Sequence, residues 1–248
     1  ERYARHIMLR EVGGPGQQRL KRATVALVGV GGLGAPAALY LAAAGVGALR
    51  LIDDDQVSLS NLQRQILFTT QSLGQGKTET AAAALTALNP HVIVDQRPTR
   101  LTPETAQALL QGADLVLDGS DSFSTRFAVN AACHALGIPL VSGAVGRWDG
   151  QLGLFASGLT KAKPAAERLP CYRCFVPEEP PEAETCAAVG VIGALPGVIG
   201  AAMALEAVKH LTGAGQTLSG RLWLFDGLNL ESRTVVLPRD PACPVCGD

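Results

Sequence analysis

TVALVGVGGLGAPAALYLAAAGVGALRLIDDDQVSLSNLQRQILFTTQSLGQGK, residues 24–77, is the stretch on which the architecture turns. It opens with an apolar, β-branched run over 24–30 that predicts a buried strand. Gly29, Gly31, Gly32 and Gly34 come next, then an Ala/Leu segment that reads as a helix, with Pro36 in its first turn where no N–H is needed. Glycines between a strand and a helix N-terminus let phosphate approach backbone N–H groups, and the helix dipole favours the negative charge. A second apolar run, 49–52, ends at Asp53, about twenty residues past the glycines, where an acid meets a ribose hydroxyl in dinucleotide folds.

The glycine pattern alone fits many nucleotide binders, and a nicotinamide or flavin site is its default reading. The segment beyond Asp53 is more specific. Ser60-Asn61-Leu62-Gln63-Arg64-Gln65 lies just past the second strand, and Lys77 comes after the turn holding Gly74 and Gly76. A triphosphate carries more charge than a pyrophosphate bridge, and its transfer chemistry uses fixed cations aimed at the leaving group. Arg64 and Lys77 suit that task; the plain alternative is two solvated surface charges.

GVGGLG (29–34), the Asp53-x-Asp55 pair, SLSNLQRQ (58–65) and the downstream Gly76-Lys77 together resemble the ubiquitin-activating-type adenylyltransferases, in particular the MoeB/ThiF group, over essentially the whole chain. The resemblance implies an ATP site made of Gly29, Gly31, Gly32, Gly34, Asp53, Asp55, Ser60, Asn61, Arg64, Lys77, Asp121 and Ser122. It implies that Arg5, of the Tyr3-x-Arg5 motif, reaches the phosphates of a neighbouring subunit in a homodimer; the plain alternative is a solvated face.

Composition sets the bounds. The chain has 248 residues, 47% hydrophobic but only 4% aromatic, so its core is aliphatic. A chain of this length buries roughly 70–75% of its unfolded surface and needs no staples. A net charge of −1 gives no basic field for nucleic acid. The N-terminus is charged and reads as no signal peptide, and a cytoplasmic location is expected. Residues 187–205 carry no charge over nearly a bilayer-spanning length. They are mostly Ala and Gly with a central Pro196, which favours a buried helix over a membrane span.

Residues 1–21 read as two short helices broken at Gly13-Gly14-Pro15-Gly16. Further elements are a helix over 74–89, a strand at 92–94, a helix from Thr102 and a strand at 115–117. Asp121 then sits at the carboxyl end of that strand, where ligands of doubly wound sheets collect. A carboxylate there suits Mg²⁺ bridging phosphates; capping the helix over 122–136 is the simpler role. The family usually has Asp-Asn here, so Ser122 is a departure. A strand at 138–142 is followed by alternating, antiparallel-looking strands at 151–156, 221–225 and 233–237. The expected fold is α/β, a Rossmann-like three-layer arrangement whose parallel N-terminal half passes into an antiparallel extension, a mixed sheet. One domain of 1–248 is expected, with 24–142 the nucleotide-binding half and 151–248 the carrier- and zinc-binding half. Residues 157–185 read as a mobile crossover over an extended peptide, or as a solvated insertion.

Cys171-x-x-Cys174 and Cys243-x-x-Cys246 make a Cys₄ zinc site, with no open coordination position and so structural. A redox pair is the alternative, but neither pair opens a helix after a strand. Cys133 reads as packing. Cys186 comes after an acidic, Pro-rich loop; in relatives a Cys in this region takes up the activated chain end or a sulfur, and the bland reading is a thiol with no obligatory role. The four histidines show no catalytic spacing.

Taken with the resemblance, these residues imply ATP-dependent adenylylation of the C-terminal glycine of a ubiquitin-like sulfur-carrier protein, with Mg²⁺ and structural zinc, molybdopterin synthesis being the first choice of pathway. No appended sulfurtransferase module is seen, so a separate sulfur donor, a cysteine desulfurase or rhodanese-type protein, is expected. A nicotinamide-dependent oxidoreductase would explain the glycines and Asp53 but leave Arg64, Lys77 and Asp121 without a shared purpose. A non-catalytic module binding a ubiquitin-like tail is the third reading. ATP–Mg against NAD binding separates the second from the first; pyrophosphate release separates the third.

Overall fold

A computed structural model describes residues 1–179 and 190–248. Eight strands form one sheet in the order β3-β2-β1-β4-β5-β6-β7-β8: β1 (Thr24–Val28), β2 (Ala48–Ile52), β3 (Ile93–Arg97), β4 (Leu115–Asp118), β5 (Leu140–Val145), β6 (Asp149–Phe155), β7 (Arg221–Asp226) and β8 (Glu231–Val236). Pairs among β1–β5 are parallel, and β5–β6, β6–β7 and β7–β8 are antiparallel. The mixed sheet expected from the sequence is present.

Side chains alternate across the central strands, as the two-residue period demands. Val25, Leu27, Leu49, Leu51, Leu115 and Leu117 face one helical layer, and Ala26, Val28, Ile52 and Val116 face the other. Both faces are therefore buried, and the strands read as continuous apolar runs. The first layer holds α2 (Gly13–Arg22), α3 (Gly34–Ala44) and α4 (Lys77–Leu88). The second holds α5 (Ala106–Leu110) and α6 (Phe123–Leu136). Short helices α1 (Ala4–Ile7), α7 (Ser157–Thr160) and α8 (Tyr172–Phe175) sit at the margins.

The longest described helix, α9 (Ala194–Thr212), is long and apolar enough to cross a membrane by length and composition alone. It packs on α2 and α3 and across β5 and β6. Leu195, Ile199, Met203 and Ala207 lie in the core four residues apart, so the segment is an internal helix.

Gly13-Gly14-Pro15-Gly16 does not break the N-terminal helices but forms the first turn of α2. Near a helix start the missing N–H of proline costs nothing, so the same residues that read as a breaker serve as a start. The expected helix from Thr102 begins at Ala106, after a turn in which Thr105 Oγ1 accepts the Thr102 N–H at 2.9 Å. Residues 74–76 form a turn ahead of α4, with Gly74 at φ +80°.

Candidate active site

A crevice of about 450 Å³ opens at the carboxyl ends of β1, β2, β4 and β5. Its floor is the glycine loop. Gly29 turns with φ +82°, and a side chain on Gly34 would run into the Gly29 carbonyl, so both positions require glycine. The N-cap of α3 is Leu33, which offers no side-chain acceptor to the first-turn amides. Those amides and the positive end of the helix are a ready anion site.

Asp53, at the end of β2, braces this loop. Its Oδ2 accepts the Val30 N–H at 2.7 Å and its Oδ1 the Asp55 N–H at 2.9 Å. Burial pushes its carboxyl above the ordinary range, with the charge of Lys77 pulling against that. Lys77 opens α4, is buried, and places Nζ 2.7 Å from Asp55 Oδ2. Arg64 reaches the crevice from the turn at Leu59–Asn61, where its Nη1 donates to Ser60 O at 3.0 Å. A Cβ on Gly32 would lie 3.7 Å from the Arg64 side chain. Asp121 lines the far wall, exposed and with no hydrogen-bond partner among the described residues.

Gly29, Gly31, Gly32, Asp53, Asp55, Arg64, Lys77, Asp121 and Ser122 thus line one crevice. Gly34, Ser60 and Asn61 do not line it. Gly34 packs beneath the loop, and Ser60 and Asn61 shape the turn that carries Arg64, with Asn61 Oδ1 accepting the Ser58 N–H at 3.4 Å. Arg5 is exposed on α1, away from this crevice. Cys186 lies outside the described residues, as does the last part of the segment 157–185. The described part of that segment supplies Tyr172 and Phe175 to the crevice wall.

The cap of α6 is Ser122, not Asp121: Ser122 Oγ accepts the Thr125 N–H at 3.2 Å. Serine at this position therefore has a local task, and the Asp121 carboxylate is left to face the crevice. Magnesium is held by one or two carboxylates together with phosphate oxygens and waters, and an unpartnered carboxylate on the crevice wall fits that donor set. The neighbouring oxygens of Asp53, Asp54 and Asp55 lie within 4.8 Å of one another, but Asp53 and Asp55 are engaged by the amides and by Lys77.

Among the lining residues that carry no role in the reading from sequence, two are polar and buried, Gln65 and Arg126. Gln65, the last residue of SLSNLQRQ, is 5% exposed beside Gly31 with its Oε1 unpartnered. Arg126 is buried on α6, and its spacing from Val129, Asn130 and Cys133 marks the inward face of that helix. This spacing was the available signal.

The four thiols of Cys171, Cys174, Cys243 and Cys246 converge, with sulfurs within 4.8 Å of one another. Cys171 and Cys243 are 3.5 Å apart, and Cys174 and Cys246 are 3.3 Å apart. A tetrahedral site with Zn–S bonds near 2.3 Å would set sulfurs about 3.8 Å apart, so the cluster fits zinc. Hydrogen bonds from the neighbouring thiols of Cys171 and Cys246 pull the Cys174 thiol down toward thiolate. Asn130 Nδ2 donates to Cys171 Sγ at 3.5 Å and the Asp240 N–H to Cys174 Sγ at 3.4 Å, the outer hydrogen bonds that steady metal-bound thiolates. Cys133 is buried, which raises its thiol pKa, as expected of a packing residue.

The model of the ThiF family matches residues 3–245. The chain is 48% identical to the sulfur carrier protein adenylyltransferase of Thermus thermophilus, over 100% of this chain and 91% of that one. Two Escherichia coli proteins are each 44% identical over 99% of this chain: the sulfur carrier protein ThiS adenylyltransferase, 94% covered, and molybdopterin-synthase adenylyltransferase, 96% covered. Among solved structures, Escherichia coli MccB with AMPCPP and MccA superposes with a TM-score of 0.83 at 24% identity, over 100% of this chain and 74% of that one, a likeness of fold.

Proposed function

The chain belongs to the ThiF family, and from that premise we propose that it adenylylates the C-terminal glycine carboxylate of a small ubiquitin-like sulfur-carrier protein, using ATP and releasing pyrophosphate. The observation that carries the reading is the convergence of Arg64, Lys77 and Asp121 on the crevice that the glycine loop floors. A nicotinamide site has no use for that convergence.

In this reading the carrier carboxylate attacks the α-phosphorus. The bond to the α–β bridging oxygen breaks, and pyrophosphate leaves with the electron pair. The nucleophile is already ionised at neutral pH, so no general base is required. The amides of the glycine loop seat the phosphates, and Asp53 holds the loop in place beside the ribose. Lys77 and Arg64 place positive charge where negative charge develops. Bound Mg²⁺, held by Asp121, would neutralise the polyphosphate and the leaving group.

A second concavity of about 600 Å³ runs over the antiparallel strands and shares Ala144, Val145 and Gln151 with the crevice. We assign it to the carrier tail. Arg5 acts in trans within a homodimer in this reading. Tyr3 of its helix packs at Gly45, the far end of α3, whose 11 residues put roughly 16 Å between α1 and the crevice. Only a second copy brings Arg5 to the phosphates. Tyr40 on α3 and Leu205 on α9 are exposed and offer that copy an apolar face. Zinc fills the Cys₄ cluster. Cysteines held as zinc thiolates fit a reducing compartment, so we place the reaction in the cytoplasm, with sulfur coming from a separate donor.

Molybdopterin synthesis remains our first assignment, with the ThiS route the competing one, since the two Escherichia coli relatives are equally identical. Pyrophosphate exchange with each carrier, followed by mass detection of the carrier-adenylate, tests both levels. Exchange with no carrier retires the function; exchange with ThiS-type carriers alone retires the pathway.

A further inference from the structure

Between β4 and α6 the chain makes a short loop, residues 119–122, that lies directly on the glycine loop. A Cβ on Gly29 would come within 3.3 Å of Gly119 and of Ser120 N, and one on Gly119 within 3.2 Å of Gly34 N. Asp121 projects from this loop, so the place of its carboxylate depends on how firmly its neighbour Ser120 is held.

Ser120 is held through all three of its polar atoms. Its N–H and its hydroxyl both donate to Asp118 Oδ1, at 2.9 and 2.6 Å. Its carbonyl accepts from Arg126 Nη2. Arg126 also donates through Nη1 to the Gly143 carbonyl at 3.0 Å and to Ser142 Oγ at 3.5 Å, both on β5. Asp118 is fully buried at the end of β4, in register with Val28 on one side and Ser142 on the other. Arg126 is 6% exposed and has no carboxylate within salt-bridge distance among the described ion pairs. Two buried charged side chains are costly to keep in an α/β core. Here both converge on one serine next to the crevice, with Arg126 also tying it to β5, which is where a fixed loop has value.

We infer that Asp118 and Arg126 are positioning residues: they clamp Ser120 between β4, α6 and β5 and thereby aim the Asp121 carboxylate at the metal–polyphosphate. The inference rests on the assignment of Asp121 to Mg²⁺ above. It predicts that loosening the clamp weakens nucleotide binding with magnesium more than it weakens nucleotide binding without it.

The test is calorimetric binding of a non-hydrolysable ATP analogue across a magnesium series, with thermal unfolding recorded for every variant. Arg126→Lys keeps the charge but loses the fork, and Asp118→Ala removes the acceptor. Each should raise the magnesium concentration at half-effect roughly tenfold, the size of one lost hydrogen bond to a charged group. Asp118→Asn should restore most of it, because an amide oxygen still accepts from Ser120. Where a buried-charge variant does not fold, Ser120→Ala carries the test, with a smaller shift in the same direction. A lowered unfolding midpoint with an unmoved magnesium half-effect would make the network merely structural and overturn the inference. An affinity loss equal at all magnesium concentrations would make Arg126 a direct nucleotide contact and also overturn it. Asp121→Ala is the reference. If it leaves the magnesium response unmoved, the metal assignment itself falls; if it moves the response and the clamp variants do not, only the clamp falls.

Discussion

Lys77 and Asp55 form an ion pair of unequal partners: Nζ and Oδ2 are 2.7 Å apart, yet the lysine side chain is 6% exposed and the aspartate 66%. Removing either partner therefore has a different consequence. Lys77→Met leaves a carboxylate already in water, so the fold should hold while pyrophosphate exchange falls at least about 100-fold, the scale of a lost transition-state donor. Asp55→Ala leaves the buried ammonium without its ion-pair partner, with only the nearby Asp53 carboxyl acting on it, and should cost about 1 kcal/mol of stability. Urea unfolding and exchange assays on the two variants would reveal this crossed pattern; equal loss in both assays would contradict it.

The cysteine cluster predicts one zinc per chain by elemental analysis. Chelation or Cys174→Ser should lower the unfolding midpoint by an amount equal to several kcal/mol, because metal binding free energy is folding free energy at such sites. Residual activity should track the folded fraction. A pair of disulfides in the purified protein, with no metal, would reinstate the redox reading.

Ser122 caps α6, and Ser122→Ala should cost about 1 kcal/mol. Ser122→Asn should be nearly neutral, since asparagine caps as well as serine. The departure from the family's Asp-Asn pair then reduces to an exchange of one cap for another. A large activity gain in Ser122→Asn would show that the amide touches substrate.

Acid sensitivity of the sheet edge stems from Asp95. Burial pushes its carboxyl upward, but hydrogen bonds from Arg50 and Arg97 more than offset this and hold it below the ordinary 3.8. A depressed carboxylate contributes stability above its unfolded value and loses it as pH falls through the folded one. Asp95→Asn should thus be less stable than the parent at pH 7 by up to about 1 kcal/mol. The gap should close as the pH drops below the ordinary 3.8. A gap that persists in acid would assign the effect to packing.

The fold was legible because periodicity and glycine placement are local properties. Apolar runs such as 115–117 and the strand–glycine–helix unit around Gly29 can be recognised without knowing their neighbours. Arg64 and Lys77 were legible from their motif and its family resemblance, and Asp121 from its place at the carboxyl end of a strand; that one crevice gathers all three follows from the sheet order. The Ser120 clamp was not legible. The helical spacing of Arg126 from Val129, Asn130 and Cys133 puts it on the inward face of α6, but nothing local says that β5 passes there to receive it or that Asp118 turns back onto Ser120. The turn at Gly13-Gly14-Pro15-Gly16 reads as a break from sequence because proline stops one helix and starts another by the same missing N–H.

The thiol cluster ties residues 72 positions apart in sequence, Cys171 to Cys243 and Cys174 to Cys246. During translation the earlier pair waits, open, until residue 246 has emerged from the ribosome. The nucleotide crevice is complete in sequence long before that moment, so a truncated nascent chain would display the catalytic surface without its fastening. Premature termination upstream of Cys243 should accordingly yield a product that limited proteolysis cuts faster than the full chain.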